Sequence, residues 1–286
     1  MTLTSKKKGS TSRGSDLGEV LSGSPERFGY EWNEYAEMRP EYEEQFRRWT
    51  PHLKPDDWRG QTFLDVGCGM GRNSYWPLHY GAAKGVAIDV DRRSLASARR
   101  TLAAYPQVEI REMSAYDIAY RDHFDVVFSI GVIHHLEFPE RALKAMTTAA
   151  KPGGRVLMWV YGLENNRWIV YLFNPVRKLL FSKMPMGLLH HLSLYPTAAL
   201  WLALRMGLQR VEYYRLIRQL SFRHLRSIVF DQMLPKIANY WPREAVVALM
   251  TNAGLENVEV TWVNEMSWSA FGTRPLRNAN PSADVL

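Results

Sequence analysis

Residues 63–71 read Phe-Leu-Asp-Val-Gly-Cys-Gly-Met-Gly, a buried strand that runs directly into a glycine turn. Phe63 and Leu64 have the bulk of a strand core, Asp65 stands at its end, and Gly67, Gly69 and Gly71 make the turn. Glycine at such positions lets backbone N–H groups come close to a ligand where a Cβ would collide. Which ligand depends on spacing. The dinucleotide fingerprint G-x-G-x-x-G needs its third glycine where Arg72 stands. Here the third glycine arrives one residue early, and an acid lies two residues before the first.

Strands and helices alternate outward from this turn. Residues 84–88 read as a second strand ending at Asp89, and Asp91 and Ser94 can cap a helix that follows to about Tyr105. An acid at the end of a second strand can accept the two hydroxyl hydrogens of a ribose. It can also cap the next helix, a task for which Asp91 is better placed. Residues 108–112 form a third strand and 124–129 a fourth, which runs into Ile130-Gly131-Val132-Ile133-His134-His135. Residues 141–150 read as a helix stopped by Lys151-Pro152-Gly153-Gly154, before a fifth strand over 155–160. Further on, 242–253 reads as a helix stopped by Gly254, and 255–263 and 266–273 as two closing strands. Strictly alternating elements of this kind imply a parallel sheet with helices on both faces.

The glycine turn with its preceding acid resembles motif I of the class I S-adenosylmethionine-dependent methyltransferases, and the order of the following elements matches that family over about residues 28–161 and 241–274. The resemblance implies a doubly wound α/β fold, Rossmann-like, with a mostly parallel seven-stranded sheet. It also implies S-adenosylmethionine as cofactor, S-adenosylhomocysteine as product, and no metal. Residue by residue, Asp65 would orient the turn and reach the amino group of the methionine moiety. Gly67, Gly69 and Gly71 would give backbone approach, and Asp89 would bind the ribose. Val90 would pack on adenine, Ser114 and Ala115 would line its edge, and Ile130 would offer its carbonyl. Ser114 departs from the Asp more usual at that turn. A leading helical segment folds over the cofactor in this family, which makes Tyr30 and Trp32 lid candidates, whereas Phe46 and Trp49 are expected to pack on the outer face of the sheet.

Composition sets the bounds. A 286-residue chain with 46% hydrophobic residues has ample material for a buried core. One cysteine, Cys68, supports neither an internal disulfide nor a cysteine metal cluster. Residues 1–24 are rich in Ser, Thr, Lys and Gly and read as a disordered tail, and 275–286 as a loose tail. No signal peptide is apparent, so a cytoplasmic enzyme is expected. The longest uncharged apolar run, 187–204, contains two histidines and a proline and is rejected as a membrane span, leaving contact with a membrane surface open.

The net charge of +7 is concentrated in one segment. Between Glu164 and Lys236 there are eleven Lys and Arg against three acids, so the rest of the chain is close to neutral. The same segment interrupts the fold. Residues 25–162 and 237–274 are expected to form the core with its lid, and 163–236 a helical cap inserted after strand five. Apolar residues recur there at helical spacing, with Pro175, Pro185, Pro196 and Pro235 dividing the run. An insertion at this point emerges at the carboxyl ends of the strands, where ligands bind in open α/β sheets. Apolar faces with interleaved arginines suit a small-molecule, lipid-linked or otherwise anionic acceptor; a solvated cationic face over an apolar packing surface and a homodimer interface are the other uses.

Methyl transfer from a sulfonium needs positioning and exclusion of water more than acid–base help. His134 and His135 follow strand four, and either could act as general base for a hydroxyl acceptor; His134, nearer the strand end, is the preferred candidate. They could equally shape the pocket floor. Tyr161, Trp168, Arg177 and Asp231 are candidates for the acceptor side. Amino methylation of nucleic-acid bases by the route that uses an Asn/Asp-Pro-Pro-aromatic run after strand four is disfavoured, and one cysteine cannot supply the paired thiols of cytosine-C5 RNA enzymes. The alternatives carried forward are an RNA methyltransferase using the basic cap as a phosphate-tracking surface, and a scaffold that binds cofactor without turnover.

Overall fold

The computed structural model describes residues 41–276 together with Arg27, Phe28, Tyr30 and Met38. The expected N-terminal tail, the lid candidate Trp32 and residues 277–286 lie outside the described residues. A helix α1 (Glu41–Trp49) leads into strand β1 (Thr62–Val66), and then α2 (Arg72–His79), β2 (Lys84–Asp89), α3 (Arg92–Thr101), β3 (Val108–Glu112) and β4 (Phe124–Ile130) follow. After α4 (Pro139–Ala149) and β5 (Ala150–Tyr161), a helical cap comprises α5 (Asn174–Leu179), α6 (Met186–Leu192), α7 (Leu194–Arg205), α8 (Glu212–Ile217) and α9 (Phe222–Met233). The chain closes with α10 (Arg243–Asn252), β6 (Glu256–Val263) and β7 (Ser267–Thr273).

The seven strands form one sheet in the order β3-β2-β1-β4-β5-β7-β6. β1 to β5 are parallel neighbours, and β7 pairs antiparallel with both β5 and β6. Strand order reverses between β1 and β4, so a crevice opens beyond their carboxyl ends, the switch point where ligands settle in such sheets. Alternation along each strand feeds two cores. Leu64, Val66, Val86 and Val127 pack with Leu143 and Met146 of α4 and Met250 of α10 on one face. Phe63, Val126, Phe128 and Leu157 pack with Phe46, Trp49, Trp58 and Trp76 on the other. Phe46 meets Trp58 and Phe128 edge-on or tilted, and Trp49 lies 4.8 Å from the Trp159 ring.

Two sequence expectations change in detail. β5 begins at Ala150, five residues early, because Lys151-Pro152-Gly153-Gly154 makes an irregularity within the strand, where its register with β4 shifts. Pro175 does not divide helices, whereas Pro196 stands just past the boundary between α6 and α7. Pro175 sits in the first turn of α5, and Pro196 in the first turn of α7, where a missing N–H breaks nothing. A short π-helical stretch, Ile169–Phe173, runs directly into α5.

Candidate active site

Beyond Val66 the chain turns through Gly67, Gly69 and Gly71, at φ +78°, +54° and +82°, a region that side chains make costly. Space is a second constraint. A Cβ on Gly67 would stand 2.4 Å from Val132 Cγ2, and one on Gly71 3.2 Å from the Ala98 Cα. The glycines therefore let the turn lie against the end of β4 and let α2 start against α3. Gly67 and Cys68 donate their N–H groups to the Ile88 carbonyl at 2.8 and 2.9 Å, which fixes the turn beside the end of β2.

Asp65 is buried and accepts a 2.6 Å hydrogen bond from Ser74 Oγ in the first turn of α2. Burial, with a lesser contribution from the Asp89 charge, pushes its carboxyl up to about 7 against the opposing Ser74 bond. It therefore ties β1 to α2, and it is not among the residues lining the cavity described next. Asp89 and Asp91 divide two tasks. Asp91 caps α3, its Oδ1 accepting from the N–H groups of Arg93 at 3.0 Å and Ser94 at 2.9 Å. Asp89 accepts from Gly69 N–H on one oxygen and Asp91 N–H on the other, both at 2.9 Å. Burial raises its carboxyl above the usual range while these N–H groups oppose the shift. Each oxygen keeps lone-pair capacity on a residue that lines the cavity.

That cavity, about 1030 Å³, lies between the carboxyl ends of the strands and the cap. It is at the upper end of the roughly 300–1,000 Å³ of small-molecule sites, with room for a cofactor and a second reactant. Gly67, Gly69, Asp89, Val90, Ser114, Ala115 and Ile130 all line it; Gly71 does not. Ser114 Oγ accepts from Tyr116 N–H at 3.1 Å, so this hydroxyl holds its own turn. Tyr42, Gln45 and Trp49 of α1 close one side. Sequence reasoning missed Asn73, Arg72 and Phe28, which also line it. Asn73 Oδ1 is buried without a partner, and the Arg72 guanidinium stacks 4.6 Å from the Tyr42 ring. Position alone could have drawn attention to Asn73, the second residue of the helix that follows the glycine turn.

At the other end, the preference between the two candidate histidines is reversed. His135 lines the cavity, whereas His134 is fully buried outside its wall, with rings of Tyr161 at 3.9 Å and His135 at 4.1 Å. Neither His134 nitrogen has a hydrogen-bond partner, and burial holds it well below the usual histidine range. His135 Nδ1 lies 2.8 Å from the Ile237 carbonyl, which makes Nδ1 the protonated nitrogen. Burial drives its pKa to about 3 against that bond. Tyr161 and Asp231 come together at the cavity: the phenol donates to Asp231 Oδ2 at 3.3 Å and accepts from Gln232 Nε2 at 2.7 Å. Burial and the Asp231 charge push the Tyr161 phenol well above its ordinary value. His134, His135 and Tyr161 are thus neutral at physiological pH.

Both histidines gain protons on unfolding at mildly acidic pH, because their folded affinities are depressed. The stability contributed by keeping both histidines neutral should therefore fall as pH drops below about 6.5, the ordinary histidine value, towards 3, while Asp65, raised to about 7, acts in the opposite sense over the same range. Thermal melts isolate the histidine part: between pH 7 and 5 the native chain should lose several degrees of Tm relative to the variant His134→Phe with His135→Asn.

Three other candidates are placed differently. Arg177 is fully buried under α5 and does not line the cavity; its Nη1 donates to the Gln232 carbonyl at 3.3 Å, and Nε and Nη2 have no partner. It faces inward because it shares the α5 stripe with buried Asn174. Trp168 lines the cavity while half exposed. Tyr30 packs on the cap, 6.0 Å from Phe230 and 6.1 Å from His190, away from the cavity wall. Among the described residues no three His, Cys, Asp or Glu side chains converge to hold a metal ion.

A nucleoside with a positively charged amino-acid arm fits what is present. Asp89 offers unsaturated acceptors for a sugar diol, Asn73 offers a buried carbonyl oxygen, and the glycine turn leaves room beside both.

Comparison with known proteins agrees. Residues 64–158 match the family model described as "Methyltransferase domain". A stretch of 103 residues is 34% identical to an uncharacterized protein of Synechococcus sp., covering 34% of this chain and 25% of that one. A second relative, tRNA U34 carboxymethyltransferase of Idiomarina loihiensis, is 28% identical over 132 residues, 44% of this chain and 40% of the relative. The chain thus spans less than half the length of these curated relatives. Among solved structures, 1,6-didemethyltoxoflavin-N1-methyltransferase of Burkholderia thailandensis, with bound 1,6-didemethyltoxoflavin and S-adenosylhomocysteine, superposes with a TM-score of 0.55 at 12% identity. That likeness covers 94% of this chain and 93% of the other, and it concerns the fold. Motif, topology and family match agree: this chain carries a class I S-adenosylmethionine-dependent methyltransferase domain.

Proposed function

We propose that the protein transfers a methyl group from S-adenosylmethionine to a small or lipid-like acceptor held under the cap. The supporting observation is the continuity of one cavity, from the glycine turn and Asp89 at one end to Tyr161, His135, Asp231 and the apolar cap at the other. Bound S-adenosylmethionine would supply an activated methyl group on a sulfonium. Asp89, Asn73 and the glycine turn would hold the donor, and Val90, Ser114 and Ala115 would flank its base. The cap would exclude water and orient the acceptor, the largest contribution a protein can make to an in-line displacement.

His135, with a pKa near 3, is a weak proton acceptor at neutral pH. The chemistry that suits this site is transfer to a nucleophile already reactive on binding, such as an amine, a thiolate or an acidic phenol. Turnover assays with the labelled methyl donor against a panel of amines, phenols and prenylated or acyl-linked acceptors test the reading. The pH–rate profile should show no break between 6 and 7 that His135→Asn removes. Label transfer to none of the panel would count against it.

A second reading comes from the relatives named as tRNA carboxymethyltransferases. If the acceptor is RNA, tRNA should bind with an affinity that falls steeply with salt. A cytoplasmic location goes with either reading.

A further inference from the structure

We propose that the outer face of the cap docks on an anionic phospholipid surface and turns the cavity mouth towards it. Residues 165–211 contain six Lys and Arg and no Asp or Glu. Arg177 is buried, but Arg167, Lys178, Lys183, Arg205 and Arg210 are exposed. Bulky apolar side chains stand among them. From the π-helical stretch into α5, Trp168, Tyr171, Leu172, Val176 and Leu179 are exposed, the last three by 70%, 44% and 73%, while Asn174 and Arg177 turn inward. Leu188 of α6, Tyr195 and Leu202, seven apart on one face of α7, and Met206 at the end of α7 are exposed as well. Leu189, Thr197 and Leu204 point into the protein from the same helices.

Exposed apolar stripes of this extent are unusual on a monomer and mark a contact surface. Charge selects the partner. A second copy would set cations against cations with no acid on the face to pair them. Nucleic acid would gain from the cations but not from Leu172, Val176, Leu179, Leu202 and Met206. Helices with a cationic margin and Leu, Trp or Tyr on the apolar side lie in the headgroup region of a bilayer. Among the described residues no helix is long and apolar enough to cross a membrane, so the contact is with the surface. Trp168, Pro196 and Leu208 are exposed and also line the cavity, so the docked face frames its entrance. Only this last step, entry of an amphiphilic acceptor from the lipid, rests on the proposed methyl transfer.

Co-sedimentation of the full chain with vesicles tests docking without turnover. Vesicles of phosphatidylcholine with about a third phosphatidylglycerol should bind it ~10-fold more tightly than pure phosphatidylcholine, with loss at high salt. The exposed substitutions Leu172→Asp and Leu179→Asp together should abolish sedimentation while leaving the melt and S-adenosylhomocysteine binding unchanged. Failure to sediment with either vesicle would overturn docking. So would unaltered sedimentation of the double variant, or a dimer or tRNA complex that those two substitutions dissociate.

Discussion

Asp89→Ala is expected to weaken S-adenosylhomocysteine binding by at least about a hundredfold, read by calorimetry. Hydrogen bonds to a charged group each contribute about 1.5–3 kcal/mol, and a diol would make two of them. The protein should also lose stability, since the Gly69 and Asp91 N–H groups bond to this carboxylate at 2.9 Å. Asp91→Ala separates the two effects. It removes the α3 cap, at a cost of about 1 kcal/mol, and should leave affinity within about twofold, a difference of under 0.5 kcal/mol. Equal affinity losses in both variants would mean that Asp89 acts only by holding the turn.

Gly67→Ala should be the most damaging single methyl group that can be added at the turn. Its φ of +78° disfavours any side chain, and the new Cβ would overlap Val132 Cγ2 at 2.4 Å. Overpacking and strained backbone together amount to about 2–4 kcal/mol, enough to lower the melting temperature by several degrees and displace the donor site. Val132→Ala removes the colliding atoms but not the backbone strain. The double variant should therefore recover part of the lost stability. No recovery would show that the conformation at residue 67, not its approach to β4, sets the cost.

Much of the fold was legible because its signals are local. Strand alternation, Asp89 at a strand end, Asp91 before a helix and three glycines in a row of five each follow from nearest-neighbour geometry. The histidine pair was not. In the tight Ile133–His135 turn the two rings lie side by side, yet His135 lines the cavity and His134 packs behind its wall, so nearness to the strand end favoured the wrong one. Arg177 reads in sequence as a ready cation, yet the face of α5 on which it falls is packed inward, a decision made by tertiary contacts. Phe28 and Asn73 carry no motif at all, and only the assembled crevice reveals them. Pro175 misled for a related reason, since a proline in the first helical turn begins a helix as readily as it ends one.

Calorimetric titration of the folded, full chain with S-adenosylmethionine and with S-adenosylhomocysteine bears most directly on the cavity as a methyl-donor site. One saturable site per chain, filled by both compounds and competed between them, is the expected outcome. Absence of heat for both at millimolar concentration, in protein that melts cooperatively, would contradict it.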